Sequence, residues 1–210
     1  MKKTEKIKIP LLLFGMCLAV CWIFVLQYGI LGSDLDWVNQ HSVLPDYFRQ
    51  RFYDTGQLFP DIMWNLGAGQ NIYNFSYYGL FNPIIWISYL LPFVPMSLYI
   101  QITSILSYGA SVVIFYCWLK KKWDDRITLA CTFLFPAPLV YHSYNQLMFV
   151  NYMPFLCAAF LGVDKYVEEK KKALLLCSVC GMILTSFFFS IGGLLALGIY
   201  GASKFTEKGI

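Results

Sequence analysis

Residues 9–31 run for about 23 positions without a charged side chain, and a helix rising about 1.5 Å per residue would carry that stretch across a hydrocarbon core about 30 Å thick. A chain that opens this way is committed to a bilayer. Lipid offers backbone groups no hydrogen-bond partners, so spanning segments are helices or closed barrels, and continuous apolar runs rather than alternating ones favour helices. The rest of the chain agrees, with 58% hydrophobic and 13% charged residues. The expected fold class is therefore all-α, a polytopic transmembrane helical protein. No small-x-small cleavage site follows the first run. In Leu18-Ala19-Val20-Cys21, Val20 stands where a lipoprotein signal needs a small residue. The run reads as an uncleaved signal anchor.

Of the 16 Lys and Arg, 14 fall in four clusters, at 2–8, 120–126, 165–172 and 204–208. Placing every cluster in the cytoplasm puts the N-terminus inside and residues 32–79 outside. The apolar runs then divide into an interfacial or half-crossing segment at 80–95, bracketed by Pro83, Pro92 and Pro95, and spans at 96–119, 127–141, 146–163, 173–188 and 189–203. The last two form a hairpin; one tilted helix over 173–203 is the rival, and it would strand Lys204 and Lys208 outside. The whole chain reads as one integral-membrane domain. It stops a few residues after an apolar segment and could be a fragment of a longer protein.

Residues 32–79 are the long polar interval, and five aspartates against two arginines give it a formal charge of −3 in a chain of +4. Asp34 and Asp36 follow the anchor closely enough to stay at the outer membrane surface, a position suited to a general base acting on a substrate presented from the bilayer. The alternative is that both are merely solvated. Pro45 to Thr55 reads as a short helix ended at Gly56, with Leu44, Tyr47, Phe48 and Phe52 along one apolar arc. Arg51 points into that arc, either snorkelling and pairing with Asp54 or meeting a lipid phosphate with its planar fork; Arg49 projects from the opposite face. In Trp64-Asn65-Leu66-Gly67-Ala68-Gly69-Gln70-Asn71, two glycines beside polar amides describe a tight turn able to approach a ligand. It is no nucleotide-binding loop, since no strand precedes it and no lysine follows.

The seven cysteines all lie in apolar runs and read as small buried hydrophobes. Cys177 and Cys180 form a CxxC without a second ligand pair. No metal ligands and no certain cofactor are assigned, and a divalent metal is the open alternative.

Several elements, in this order, resemble the YfhO-type bacterial membrane proteins, of the GT-C glycosyltransferase class. They are Asp36-Trp37-Val38-Asn39-Gln40 after the anchor; the turn from Trp64 to Asn71; Tyr77-Tyr78-Gly79-Leu80-Phe81-Asn82-Pro83; Met148-Phe149-Val150-Asn151-Tyr152-Met153-Pro154; and Leu161-Gly162-Val163-Asp164-Lys165-Tyr166. The resemblance implies a GT-C-like fold with a long outer loop after the first helix, in a bacterial cell membrane. It also implies transfer of a sugar from a polyprenyl-phosphate donor to an envelope acceptor such as a teichoic-acid-type polymer. It gives the base role to Asp36, then Asp34, and the donor-phosphate role to Arg51, then Arg49 and His142. Gln40, Trp64, Asn65 and Asn71 become the substrate-binding loop. The implied partners are the bilayer, the lipid-linked sugar and the envelope polymer, with no nucleic acid. Family members are generally longer, so 210 residues would supply the first part of a site. The rival functions are a non-catalytic scaffold, which predicts tolerance of Asp36→Asn, and a transporter or flippase component. Ion-coupled transport is disfavoured by spans almost free of ionisable residues.

Overall fold

The computed structural model describes residues 5–29, 36–65, 68–137, 146, 149–207 and 209. Asp34, His142 and the expected hairpin turn at 142–145 lie outside the described residues. Helix α1, Glu5–Tyr28, begins within the basic start and stops before residue 31, because Gly29 turns left-handed (φ 80) and donates its N–H back to Val25 O at 2.8 Å. A π-helical turn, Trp37–His41, leads into α2, Val43–Thr55, which Gly56 closes in the same manner (φ 71; N–H to Phe52 O, 2.8 Å).

Two short strands, β1 (Ile62–Met63) and β2 (Gln70–Asn71), pair antiparallel with Ile62 opposite Asn71 and Met63 opposite Gln70. A 3₁₀ helix, Ile72–Tyr78, follows. Leu44, Phe48, Met63, Ile72 and Leu80 bury themselves together, so the polar interval carries a core of its own. The interfacial segment is broken as its prolines require: α3 (Pro83–Ile87), a 3₁₀ turn (Ser88–Leu90), then Pro92 and Pro95.

Helix α4, Met96–Leu119, is the central pillar, packed against α1 and against α6 (Met153–Glu169). Between them α5, Asp125–Leu134, is capped by Asp124, whose carboxylate accepts from the N–H groups of Arg126 (2.8 Å) and Ile127 (3.1 Å). Ten residues are too few to cross a core about 30 Å thick, so α5 does not supply the span expected at 127–141 by itself. In the stretch expected as a span at 146–163, α6 starts beside Pro154, which suits a first helical turn, and the helix runs on to Glu169.

Helices α7 (Ala173–Thr185) and α8 (Phe187–Glu207) are separated by Ser186, whose extended backbone (φ −157, ψ 92) interrupts any continuous helix over 173–203. Direction follows from contacts. Gly162 meets Leu175 and Gly181 meets Phe155, so α6 and α7 are antiparallel; Leu156 lies near Gly193 and Tyr166 near Phe205, so α8 runs parallel to α6. Among the described residues three helices are long and apolar enough to cross a membrane, within Ile7–Tyr28, Met96–Leu119 and Phe187–Glu207.

The backbones of α6 and α7 come together at Gly162, where a Cβ would stand 2.6 Å from the Cα of Leu175. Backbone cannot step aside as a side-chain end can. Gly162→Ala should therefore destabilise the protein by about 1–3 kcal/mol, read from thermal unfolding in detergent. Gly192→Ala, whose Cβ would meet nothing within 4 Å, is the control and should leave the midpoint in place.

Candidate functional site

The candidate site is built where residues 36–56 lie over the first turn of α4. Trp37 is 4% exposed and belongs to the core that contains Ile85, Tyr89, Met96 and Tyr99. That anchor fixes its neighbour, the half-buried Asp36, at the end of the helical bundle. Asp36 stands at the N-cap of the π-helical turn, and its carboxylate makes no capping bond there. It acts instead on His41, buried in the same turn. Burial lowers the His41 pKa below its ordinary 6.5, with the charge of Asp36 pulling the other way.

One turn of chain places Gln40 near the downstream element: Tyr78 donates its hydroxyl to Gln40 Oε1 at 2.6 Å. The D-x-x-x-Q and Y-Y-G-L-F-N-P elements are thus physically joined. Asn82 of the latter is fully buried and caps α3, accepting from the Ile84 N–H at 2.9 Å. Among the described residues its buried amide Nδ2 has no hydrogen-bond partner, and neither has that of Asn151.

Arg49 departs from expectation. It does not project outward from α2 but is 6% exposed, sharing the buried face with Leu44, Pro45 and Phe48. The physical reason is three acceptors: Asp46 at 2.7 Å, Val94 O at 2.9 Å and Leu91 O at 3.4 Å. A guanidinium so held can be buried, and it clasps α2 onto the turn before α4. Tyr53 repeats the clasp by donating to Tyr89 O. Gln50 supports Asp46 through a bond of 2.8 Å to the second carboxylate oxygen.

Arg51 is different: among the described residues it has a loose pairing to the exposed Asp54 (3.9 Å) and a buried Nε without a hydrogen-bond partner. The two arginines of α2 therefore divide: Arg49 is committed to the fold, while Arg51 keeps donor capacity. A cavity of about 390 Å³ opens beside the clasp, between Ser42, Asp46, Gln50 and the α4 residues Pro95 to Ser97.

The glycine-containing turn becomes the tip of the β1–β2 hairpin, with Ala68 (φ 64) and Gly69 (φ 97) left-handed. Trp64 and Asn65 stand exposed there, and the ring of Trp64 lies 3.7 Å from where a Gly69 Cβ would sit. Asn71 is occupied locally, accepting from the Tyr73 N–H at 2.9 Å as the cap of the 3₁₀ helix. No hydrogen bond or ion pair joins Trp64 or Asn65 to Asp36 or Arg51 among the described residues. No group of three or more His, Cys, Asp or Glu able to hold a metal occurs among the described residues either.

A second polar cluster lies at the opposite end of the bundle. Lys122, just past α4, donates to Asp164 of α6 and, at 2.6 Å, to the Tyr200 hydroxyl of α8; Tyr200 in turn donates to Asp164. The lysine sits over the rings of Trp118 (4.7 Å) and Tyr200 (5.2 Å). Asp164 was visible in the L-G-V-D-K-Y element, but its partners come from 42 and 36 residues away, beyond the reach of local spacing.

In comparisons with known proteins, a protein-family model described as bacterial membrane protein YfhO matches residues 7–206. No curated protein and no solved structure matches.

Proposed function

Because the chain belongs to the YfhO family of bacterial membrane proteins, we propose that it forms the donor-receiving part of a membrane glycosyltransferase. The donor is a polyprenyl-phosphate-linked sugar, and the acceptor is a hydroxyl of an extracytoplasmic envelope polymer of the teichoic-acid type. The N-terminus then lies in the cytoplasm and residues 32–79 outside, in keeping with the clustering of the basic residues. The observation that carries the reading is Asp36 held at the end of the bundle by the buried Trp37, on an element bonded through Gln40 to Tyr78.

In this reaction the acceptor oxygen bonds to the anomeric carbon as its proton passes to the Asp36 carboxylate. The bond between that carbon and the phosphate oxygen breaks, and polyprenyl phosphate departs with the electron pair. Arg51 is the cation for the departing phosphate, since its fork is not consumed by the fold.

The test is sugar transfer in reconstituted membranes from a radiolabelled polyprenyl-phosphate sugar to envelope polymer, with the matching nucleotide sugar as a second donor. Transfer from the lipid-linked donor alone is expected; transfer from the nucleotide sugar alone, or from neither, would overturn the reading. The two arginines should separate in the same preparation. Arg51→Lys should raise the donor KM with the thermal midpoint unchanged, because it loses the planar fork but keeps the charge. Arg49→Lys should lower the stability by about 1–3 kcal/mol through its lost backbone bonds. An unchanged donor KM in Arg51→Lys would return Arg51 to snorkelling.

A further inference from the structure

The turn that follows Asp36 carries a polar group that the reaction above does not use, the imidazole of His41. It is 4% exposed, although Asn39 in the same turn faces solvent. An enclosed imidazole needs hydrogen-bond partners for its nitrogens, because burying a polar group without one is costly.

The backbone brings this ring to Asp36. In an α-helix, residues five apart would point about 140° away from one another, at about 100° per residue. Residues 37–41 form a π-helical turn instead, and such a turn is closed by bonds between residues five apart. One of these runs from the Ser42 N–H to Trp37 O at 3.2 Å, and the Ser42 hydroxyl donates to the same oxygen at 3.0 Å. Asp36 caps the turn with a backbone that is already helical (φ −78, ψ −34), and His41 ends it. The two therefore share a face, as residues four apart do in an α-helix. Tyr78 braces the arrangement: its ring centroid is 6.1 Å from that of His41, while its hydroxyl holds Gln40 at 2.6 Å. Single π turns are rare and frequently occur at functional sites.

Resting on the reading of Asp36 as the base of a lipid-linked-sugar transferase, we propose that His41 is its positioning residue. One imidazole N–H donates to one carboxylate oxygen of Asp36, which turns the other oxygen toward the acceptor hydroxyl. Burial favours the neutral imidazole, so the ring orients the carboxylate without adding a charge beside it. In the transfer step the acceptor's proton passes to the second oxygen of Asp36, and the imidazole proton stays in place.

The full chain in the reconstituted transfer assay provides the test. His41→Phe keeps a ring in the buried position and removes the N–H. Its kcat should fall about 10- to 100-fold, the contribution of a hydrogen bond to a charged group, with the donor KM unchanged. His41→Asn and His41→Gln place an amide N–H near the positions of Nδ1 and Nε2, and one of them should recover most of the loss. Added to Asp36→Asn, His41→Phe should cost nothing further, because it acts through that carboxylate. Recovery by neither amide, or a further loss in the double variant, would overturn the role and leave a histidine that only packs.

A second readout needs no activity. The chain has two histidines, so the imidazole nitrogen NMR signals of the isotope-labelled protein are assigned with the single variant His142→Gln. The donating nitrogen of His41 should shift in Asp36→Asn, and an unchanged signal would overturn the pair. Full transfer by His41→Phe would refute the positioning role and leave the transferase standing. The shift in a protein that transfers no sugar would retain the pair and refute the transferase.

Discussion

Asp36→Asn should lower transfer from the lipid-linked donor by at least about a hundredfold, the lower end of the roughly 10²–10⁴-fold that a general base contributes. The amide keeps the size and hydrogen-bonding capacity of the side chain and removes the proton acceptor. Because Asp36 makes no capping bond and its neighbour Trp37 supplies the burial, the variant should insert and melt as the wild type does. The loss should appear in kcat, with donor KM little changed, since in the proposed reaction the carboxylate acts on the acceptor proton and Arg51 holds the phosphate. Asp34→Asn is the companion measurement. If it abolishes transfer while Asp36→Asn retains it, the base is Asp34; normal transfer by both would remove the carboxylates from the chemistry and favour a scaffold.

The largest effect on stability is expected at the other end of the bundle. Asp164 is 4% exposed and receives both Lys122 and Tyr200, so Asp164→Ala leaves an ammonium enclosed by Trp118 and Tyr200 without its counter-charge. Breaking such a pair from one side costs about 3–5 kcal/mol. For a chain of this size that lowers the thermal midpoint by about 6–20 °C. The double change Asp164→Ala with Lys122→Met removes both charges and should recover a large part of the loss, measured as a double-mutant cycle in detergent. Equal midpoints for the single and double variants would mean that Lys122 is hydrated and the cluster adds nothing.

The helical class was legible because uncharged runs of membrane length leave few alternatives, and α4 fills such a run between Pro95 and Lys120. Where a run ended in charge, the sequence misled. Asp164 looked like the edge of a span at Val163, yet α6 continues to Glu169 because Lys122 and Tyr200 neutralise and bond that carboxylate. Arg49 was misplaced for a related reason. Counting apolar side chains around α2 gave it the outer face, but two of its acceptors are the backbone carbonyls of Leu91 and Val94, which carry no side-chain signature. Asp46, its ionic partner, stood three residues away and was the one available clue. The joining of Gln40 to Tyr78 could be sensed only as an order of elements along the chain, since a contact across 38 residues has no local periodicity.

The clasp of Arg49 also imposes a timetable on synthesis. Its carbonyl acceptors are 42 and 45 residues later in the chain, and a ribosome adding about 5–20 residues per second delivers them several seconds after the arginine. Until then the guanidinium has Asp46 alone and must stay in water, so the segment that carries Asp36 stays unclosed. It locks only when the prolines ahead of α4 arrive and fold back over it. Protease resistance of residues 43–56 should therefore be acquired only once residues 91–96 have been made, which makes the first turn of α4 the element that completes this end of the bundle.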